Sequence, residues 1–270
     1  MNRNLTLLNE KILRQYCQNA NAFPIACVDS VGSTNDHVRT LTSTAPLQFC
    51  LAEHQTQGRG RLGRAFVSPP SVNVYLSCRW HPNKTLRELA GLSLVVSVSI
   101  LDTLHDLGVT DAKVKWPNDI LWQQQKLAGV LVETANSKNQ FPEVIIGIGL
   151  NVNMPEEILA QLGRPATSLK QILAKPQDRN RVAGVLIKNL VRDLTRFTDH
   201  GFKAFKTTWM AHDALKDQTI TVYNGTQTIT GIASGVDDEG NLLLCHQDKI
   251  VAYAAGDVSL NLTFSTQKLK

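Results

Sequence analysis

Apolar residues recur at helical spacing over residues 7–18 and 35–42, and most regularly over 180–197. In that last segment Val182, Leu186, Leu190, Leu194 and Phe197 fall on one face of a predicted helix. A long apolar run predicts a buried helix over 86–107 that stops at Gly108. Its richest part is interrupted by Ser93, Ser97 and Ser99 and followed by Asp102, so it falls short of the roughly 20 apolar residues that cross a bilayer. Further helical patterns cover 155–162 and continue from the 180–197 helix to about residue 212. Strand-like runs rich in β-branched and aromatic residues lie at 49–55, 72–80, 120–122, 127–134 and 144–150, with a hairpin at 123–125.

The character of the chain changes after Asp213. Short strands are predicted at 219–223, 226–234, 242–245 and 258–262, punctuated by Asn224-Gly225, Glu239-Gly240-Asn241 and Ala255-Gly256-Asp257. The pattern therefore predicts two domains. Residues 1–212 form an α+β domain with a mixed central sheet and helices, since strands and helices do not alternate strictly. Residues 213–270 form a small β-barrel.

Composition narrows the function classes. Apolar residues make up 43% of the chain and charged residues 19%, which predicts a folded chain rather than a disordered one. The five cysteines, Cys17, Cys27, Cys50, Cys78 and Cys245, show no C-x-x-C pair and no regular spacing, so they read as reduced packing residues. The first residues lack an uninterrupted apolar segment with a cleavage site, and the expected location is the cytoplasm, with no membrane association. The net charge of +5 raises the possibility of an acidic partner. From residue 213 onward four lysines stand against seven Asp and Glu, a net −3, so the first 212 residues carry +8.

Four segments carry candidate chemistry. Gln55 leads into a loop in which Gly58, Gly60 and Gly63 alternate with Arg59, Arg61 and Arg64. Glycines let backbone approach a ligand, and arginine forks bind phosphate or carboxylate bidentately. Alone, such a string would equally suit an RNA-binding loop. It is neither a Walker A loop nor a dinucleotide fingerprint. Lys115-Trp116-Pro117-Asn118-Asp119, followed by Lys126-Leu127-Ala128-Gly129, places polar groups where a strand meets a loop mouth. Taken singly, Asn118 and Asp119 also suit a turn and Lys126 a surface position. Gly147-Ile148-Gly149-Leu150-Asn151-Val152-Asn153 is a strand whose glycines predict close packing against a ligand or a neighbouring strand. Gly32-Ser33-Thr34-Asn35 reads, by itself, as a helix N-cap.

In this order and spacing, these segments together resemble the biotin protein ligases, over about residues 28–262. The resemblance implies a class II synthetase-like biotin/lipoate ligase domain followed by an SH3-like barrel. It implies ATP, Mg2+ and biotin as reactants, with no protein metal site, and a biotin carboxyl carrier protein domain as partner. It assigns Ser33, Thr34, Asn35 and Gln55 to the biotin pocket, with Arg59, Gly60, Arg61 and Lys126 also meeting biotin. Arg61, Arg64, Phe66, Lys115, Asn118 and Asn151 would meet ATP or the adenylate. Lys126, Asp119 and Arg59 would serve catalysis, Lys126 touching both the biotin carboxylate and the α-phosphate. Many relatives carry Trp where this chain has Phe66, which offers a smaller face for stacking and no N–H. A homodimer is compatible with the sequence. With only 32 residues before Ser33, a winged-helix domain that binds specific DNA is not expected. Rival readings are a lipoate or octanoate ligase and a nucleic-acid-binding regulator, although no helix-turn-helix pattern supports the latter.

Overall fold

The computed structural model describes residues 6–17, 23–135, 141–224 and 227–260. A seven-stranded sheet forms its centre, built from β1 (Ile25–Val31), β2 (Leu47–Gln55), β3 (Val74–Trp80), β4 (Lys113–Lys115), β5 (Asp119–Trp122), β6 (Gln125–Ala135) and β7 (Glu143–Leu150). The spatial order is β1-β2-β3-β7-β6-β5-β4. Only β1 and β2 run parallel; every other pair is antiparallel, which makes the sheet mixed as expected.

Seven α-helices accompany these strands among the described residues: α1 (Glu10–Leu13), α2 (Thr34–Thr40), α3 (Leu92–Asp106), α4 (Glu156–Ala160), α5 (Leu169–Ile172), α6 (Arg179–His200) and α7 (Lys206–Ala211). The two-residue period of the strands decides what each face of the sheet does. Phe49, Leu51, Val74, Leu76, Cys78, Ile146, Ile148 and Leu150 point to the main core with residues of α3 and α6. The alternate residues face α2, where Cys50 and Ile145 cluster with Val38 and Ser77 meets Thr34 and Asn35. The five α6 residues placed on one face by the sequence are all buried.

Several boundaries differ from the sequence pattern. α3 begins at Leu92 rather than residue 86, because Gly91 takes a left-handed conformation (φ 77°) that ends helical continuity upstream. Phe202 packs on Gly91 so closely that a Cβ there would lie 2.6 Å from the Phe202 Cβ, a long-range constraint invisible in local periodicity. The predicted helix over 7–18 is α1 plus a 3₁₀ turn at Arg14–Tyr16, and residue 18 lies outside the described residues. Helix does not continue unbroken to 212: Gly201 (φ 63°) ends α6 before a 3₁₀ turn and α7. The hairpin after Trp122 turns on Gln123 and Gln124, both at positive φ. β1 and β4 have no counterpart among the predicted strands; both are sheet edges, where half-exposed residues weaken the apolar signal.

The C-terminal part is a five-stranded antiparallel sheet of β8 (Thr219–Asn224), β9 (Gln227–Val236), β10 (Leu242–His246), β11 (Lys249–Tyr253) and β12 (Asp257–Leu260), in the order β11-β10-β9-β8-β12. β11 is not predicted from the sequence, since four of its five residues are exposed. The Gly225 turn position, residue 226 and residues 261–262 lie outside the described residues. Ile220, Val222, Leu242, Leu244 and Val258 belong to the same apolar cluster as the central domain, so the two parts share one continuous core. No helix among the described residues is long and apolar enough to cross a membrane.

Candidate active site

A cavity of about 730 Å³ opens on the sheet face that carries α2. Thirteen sequence-predicted residues line it: Ser33, Thr34, Asn35, Gln55, Arg59, Gly60, Arg61, Arg64, Phe66, Lys115, Asn118, Asp119 and Lys126. Asn151 does not. It lines an adjoining cavity of about 240 Å³ that shares Arg64, Phe66, Lys126 and Arg164 with the first. No cysteine lines either cavity. All five are free thiols, and burial pushes Cys17 up to about 11 and Cys50 up to about 12, which leaves them protonated packing groups.

One end of the main cavity is a neutral hydrogen-bonding corner at the start of α2. Ser33 occupies the N-cap position, yet its side chain makes no capping bond. Gln55 Oε1 accepts from both the backbone N–H (2.8 Å) and the hydroxyl (2.9 Å) of Thr34, and its Nε2 donates to Ser68 Oγ at 3.0 Å. Asn35 donates to Glu133 at 2.9 Å. The Ser77 hydroxyl lies 2.6 Å from Asn35 Oδ1 and 2.7 Å from Thr34 Oγ1. These groups are mostly buried, so mutual hydrogen bonds fix their orientation and offset their desolvation. Ser77 was not found from the sequence; its signal is a small polar residue in the middle of a strand that is buried throughout.

The glycines around this corner make room for side chains. A Cβ on Gly147 would lie 2.4 Å from Asn35 Oδ1, and one on Gly149 would lie 2.3 Å from the Phe66 ring. The predicted close packing at the strand glycines is therefore with Asn35 and Phe66. The Phe66 ring lies edge-on to Tyr75, centroids 6.5 Å apart, and forms part of the wall common to the two cavities.

The opposite wall is cationic. Residues 58–66 form a short hairpin, closed by the Gly60 N–H to Arg64 O (2.7 Å) and Phe66 N–H to Gly58 O (2.8 Å) bonds, with Leu62 and Gly63 at positive φ in its tip. Arg59 forks onto Asp36 with contacts of 2.5 and 2.8 Å, which holds the Asp36 carboxyl below its usual range. Arg61 donates to Gly256 O at 3.0 Å and lies 3.4 Å from Asp257, and Arg64 also pairs with Asp257. The hairpin is thus fastened to β12 of the C-terminal sheet by a residue that the sequence suggested only as a turn former.

Lys126 begins the second half of this wall. Its ammonium pairs with Asp119 and is largely buried. Burial pulls its pKa below the usual lysine range, Asp119 opposing that shift. Asn118 is committed to structure, its side chain donating to Val130 O at 2.7 Å. Asn151 likewise donates to Thr167 O at 3.0 Å and is 6% exposed. Trp116, which follows Lys115 and precedes a cis bond to Pro117, donates its indole N–H to Gly240 O at 3.0 Å.

Among the described residues no group of three or more His, Cys, Asp or Glu converges as a metal site. The two carboxylates that line the main cavity, Asp119 and Asp257, are each paired with cations. The donor set therefore does not fit a protein-held divalent ion. Chemically, the cavity combines a neutral hydrogen-bonding end, apolar walls that include Phe66 and Leu131, and a cationic wall, an arrangement suited to an amphiphilic acid together with a phosphorylated co-substrate.

Residues 26–151 match the Biotin/lipoate A/B protein ligase family, and residues 217–261 match the Biotin protein ligase C terminal domain. The chain is 32% identical over 240 residues to the Bifunctional ligase/repressor BirA of Escherichia coli, covering 87% of this chain and 74% of that protein. It is 33% identical over 240 residues to the biotin–acetyl-CoA-carboxylase ligase of Mycobacterium tuberculosis, covering 86% of each. Among solved structures it is similar to the biotin protein ligase from Aquifex aeolicus in complex with biotin and ATP, with a TM-score of 0.75, 30% identity, and coverage of 88% of this chain and 98% of that one.

Proposed function

The chain belongs to the biotin protein ligase family, and we propose that it converts biotin and ATP to biotinyl-5'-AMP and then transfers the biotinyl group to one lysine of a biotin carboxyl carrier protein domain. The observation that carries this reading is the pairing of the Ser33-Thr34-Asn35-Gln55 corner with the Lys126 and arginine wall in one cavity.

In this reading the ureido ring of biotin enters the neutral corner, where Ser33, Thr34 and Asn35 exchange hydrogen bonds with it and Gln55 and Ser77 hold them in place. The valerate carboxylate then reaches Lys126. Attack of that carboxylate on the α-phosphorus forms a mixed anhydride and breaks the bond to the β-phosphate, with pyrophosphate leaving. Two anions must approach each other, and Lys126, Arg59 and Arg61 stabilise the charge that accumulates. Arg61 and Arg64 exchange Asp257 for phosphate. The adenine enters the smaller cavity beside Phe66, with Asn151 as a fixed polar edge and Lys115 facing the phosphates. Magnesium travels with the phosphates of ATP as part of the substrate.

In the second step the carrier amine attacks the acyl carbon and AMP leaves. The amine must be neutral, although a free lysine has a pKa of about 10.4. Asp119 orients that amine and accepts its proton once Lys126 has turned from Asp119 to the adenylate.

The test is to incubate the protein with ATP, magnesium and biotin, lipoate or octanoate in parallel and to identify the acyl-adenylate by mass spectrometry. Biotinyl-5'-AMP alone supports the proposal. An adenylate formed only from lipoate or octanoate would assign the chain to the other acid specificity.

A further inference from the structure

The cations that face the cavity differ in how far they are already engaged. Arg59 is forked onto Asp36, Arg61 and Arg64 are paired with Asp257, and Lys126 is paired with Asp119. Among the described residues lining the cavity, Lys115 and Arg164 are the cations with no carboxylate within ion-pair distance. Arg164 lines both cavities, so it stands where they meet, and it is exposed to solvent there.

Its position is fixed by the backbone. Gly163 takes a left-handed conformation (φ 66°) that turns the chain back toward β6. Lys126 N–H donates to Pro165 O at 3.0 Å and Thr167 N–H donates to Lys126 O at 3.0 Å, with Ala166 paired in parallel to Lys126. The segment that carries Arg164 is thereby hydrogen-bonded on both sides of the residue assigned to the α-phosphate. Arg164 is one of the positive charges that act on the Lys126 ammonium, so an anion seated between the two would be attracted by both.

We propose that Arg164 is a further substrate-binding residue, whose guanidinium holds the β- and γ-phosphates of ATP and then the departing pyrophosphate. This rests on the reading of the cavity as an ATP site. With adenine in the smaller cavity and the α-phosphate at Lys126, the remaining phosphates extend along the wall that the two cavities share, where an arginine fork matches two phosphate oxygens. No internal ion pair has to break when Arg164 receives them, whereas Arg61 and Arg64 must first release Asp257. Arg164 therefore engages the incoming triphosphate before the hairpin arginines do, and its exposure lets pyrophosphate leave toward solvent.

The test compares wild type with Arg164→Ala and Arg164→Lys by calorimetric titration with pyrophosphate plus magnesium, with ATP plus magnesium and with adenosine, alongside biotin-dependent ATP–pyrophosphate exchange and thermal melting. Loss of one charge-assisted fork is expected to weaken pyrophosphate and ATP binding about tenfold in the alanine variant. Adenosine affinity, the KM for biotin and the melting temperature should stay near wild type, with partial recovery in the lysine variant. Pyrophosphate affinity within twofold of wild type in Arg164→Ala would overturn the proposal, as would equal weakening of adenosine and pyrophosphate, which is the signature of a merely structural role. Wild-type protein that binds ATP yet shows no biotin-dependent exchange would instead count against the biotin reading, and the pyrophosphate titration would still decide the role of Arg164.

Discussion

A Cβ on Gly129 would stand 3.0 Å from Nζ of Lys126 and 3.1 Å from its Cε. The bare backbone at Gly129 is what allows the lysine side chain to lie over β6 and reach Asp119. Gly129→Ala is accordingly expected to push the end of Lys126 aside by a few tenths of an ångström. Adenylate formation should drop about tenfold or more, because misplacement of a contact to reacting atoms is felt strongly in rate. Stability should change by less than about 1 kcal/mol, since the displaced atoms are the far end of a flexible chain and the residue lies in an extended strand. Exchange assays paired with thermal melts check this, and a normal rate in a folded variant would show that the Lys126 position does not matter.

Lys126→Ala should lower biotin-dependent exchange by about 10² to 10³ while the protein stays folded. The same change at a solvated surface lysine would alter stability by within about 0.5 kcal/mol and leave the rate untouched. Turnover within a few fold of wild type would remove Lys126 from the catalytic assignment.

Arg61→Ser removes the side chain that links the hairpin to Gly256 and Asp257. The expected consequence is faster escape of the adenylate, because the hairpin is released from β12 and a phosphate contact is lost together. Streptavidin blotting of a mixture of enzyme, ATP, biotin and an unrelated lysine-rich protein measures the leak. Bystander labelling should exceed that of wild type at equal adenylate synthesis; equal labelling would show that Arg61 does not retain the intermediate.

Asp213 is buried at the entry to the C-terminal sheet. Its Oδ1 accepts from Leu215 N–H at 2.8 Å while Oδ2 has no partner, and burial pushes its pKa up to about 6. With the folded pKa above the unfolded one, the native state binds more protons between about pH 4 and 6, so this residue makes the protein less stable as pH rises through that window. Asp213→Asn should therefore raise stability at pH 7 by on the order of 1 to 3 kcal/mol, and the gain should vanish below about pH 4. Denaturant melts of both proteins at pH 4 and pH 7 test it. A difference independent of pH would show that Asp213 does not titrate in this way.

Local sequence carried much of this molecule. The 3.6-residue period over α6 fixed its buried face, because a long helix that must bury one stripe has few alternatives. The strand-like runs at 72–80 and 144–150 located β3 and β7, and Gly108 marked where α3 ends. The segments that line the cavity were equally legible, since glycine and arginine in a loop, or lysine beside glycine at a strand start, are unusual where a chain has only itself to pack against. What local sequence could not give was who pairs with whom. Gly91 ends helical continuity because Phe202, 111 positions away, needs the space. Ser77 enters the polar corner only because β3 lies beside β7 under α2. Asp257 reads as a turn residue until the C-terminal sheet brings it to Arg61 and Arg64, and Arg164 reads as a loop cation until backbone hydrogen bonds set its segment against Lys126. Each of these depends on contacts between residues far apart in the chain, whose energies are fixed by packing and charge pairing in three dimensions rather than by any short-range preference.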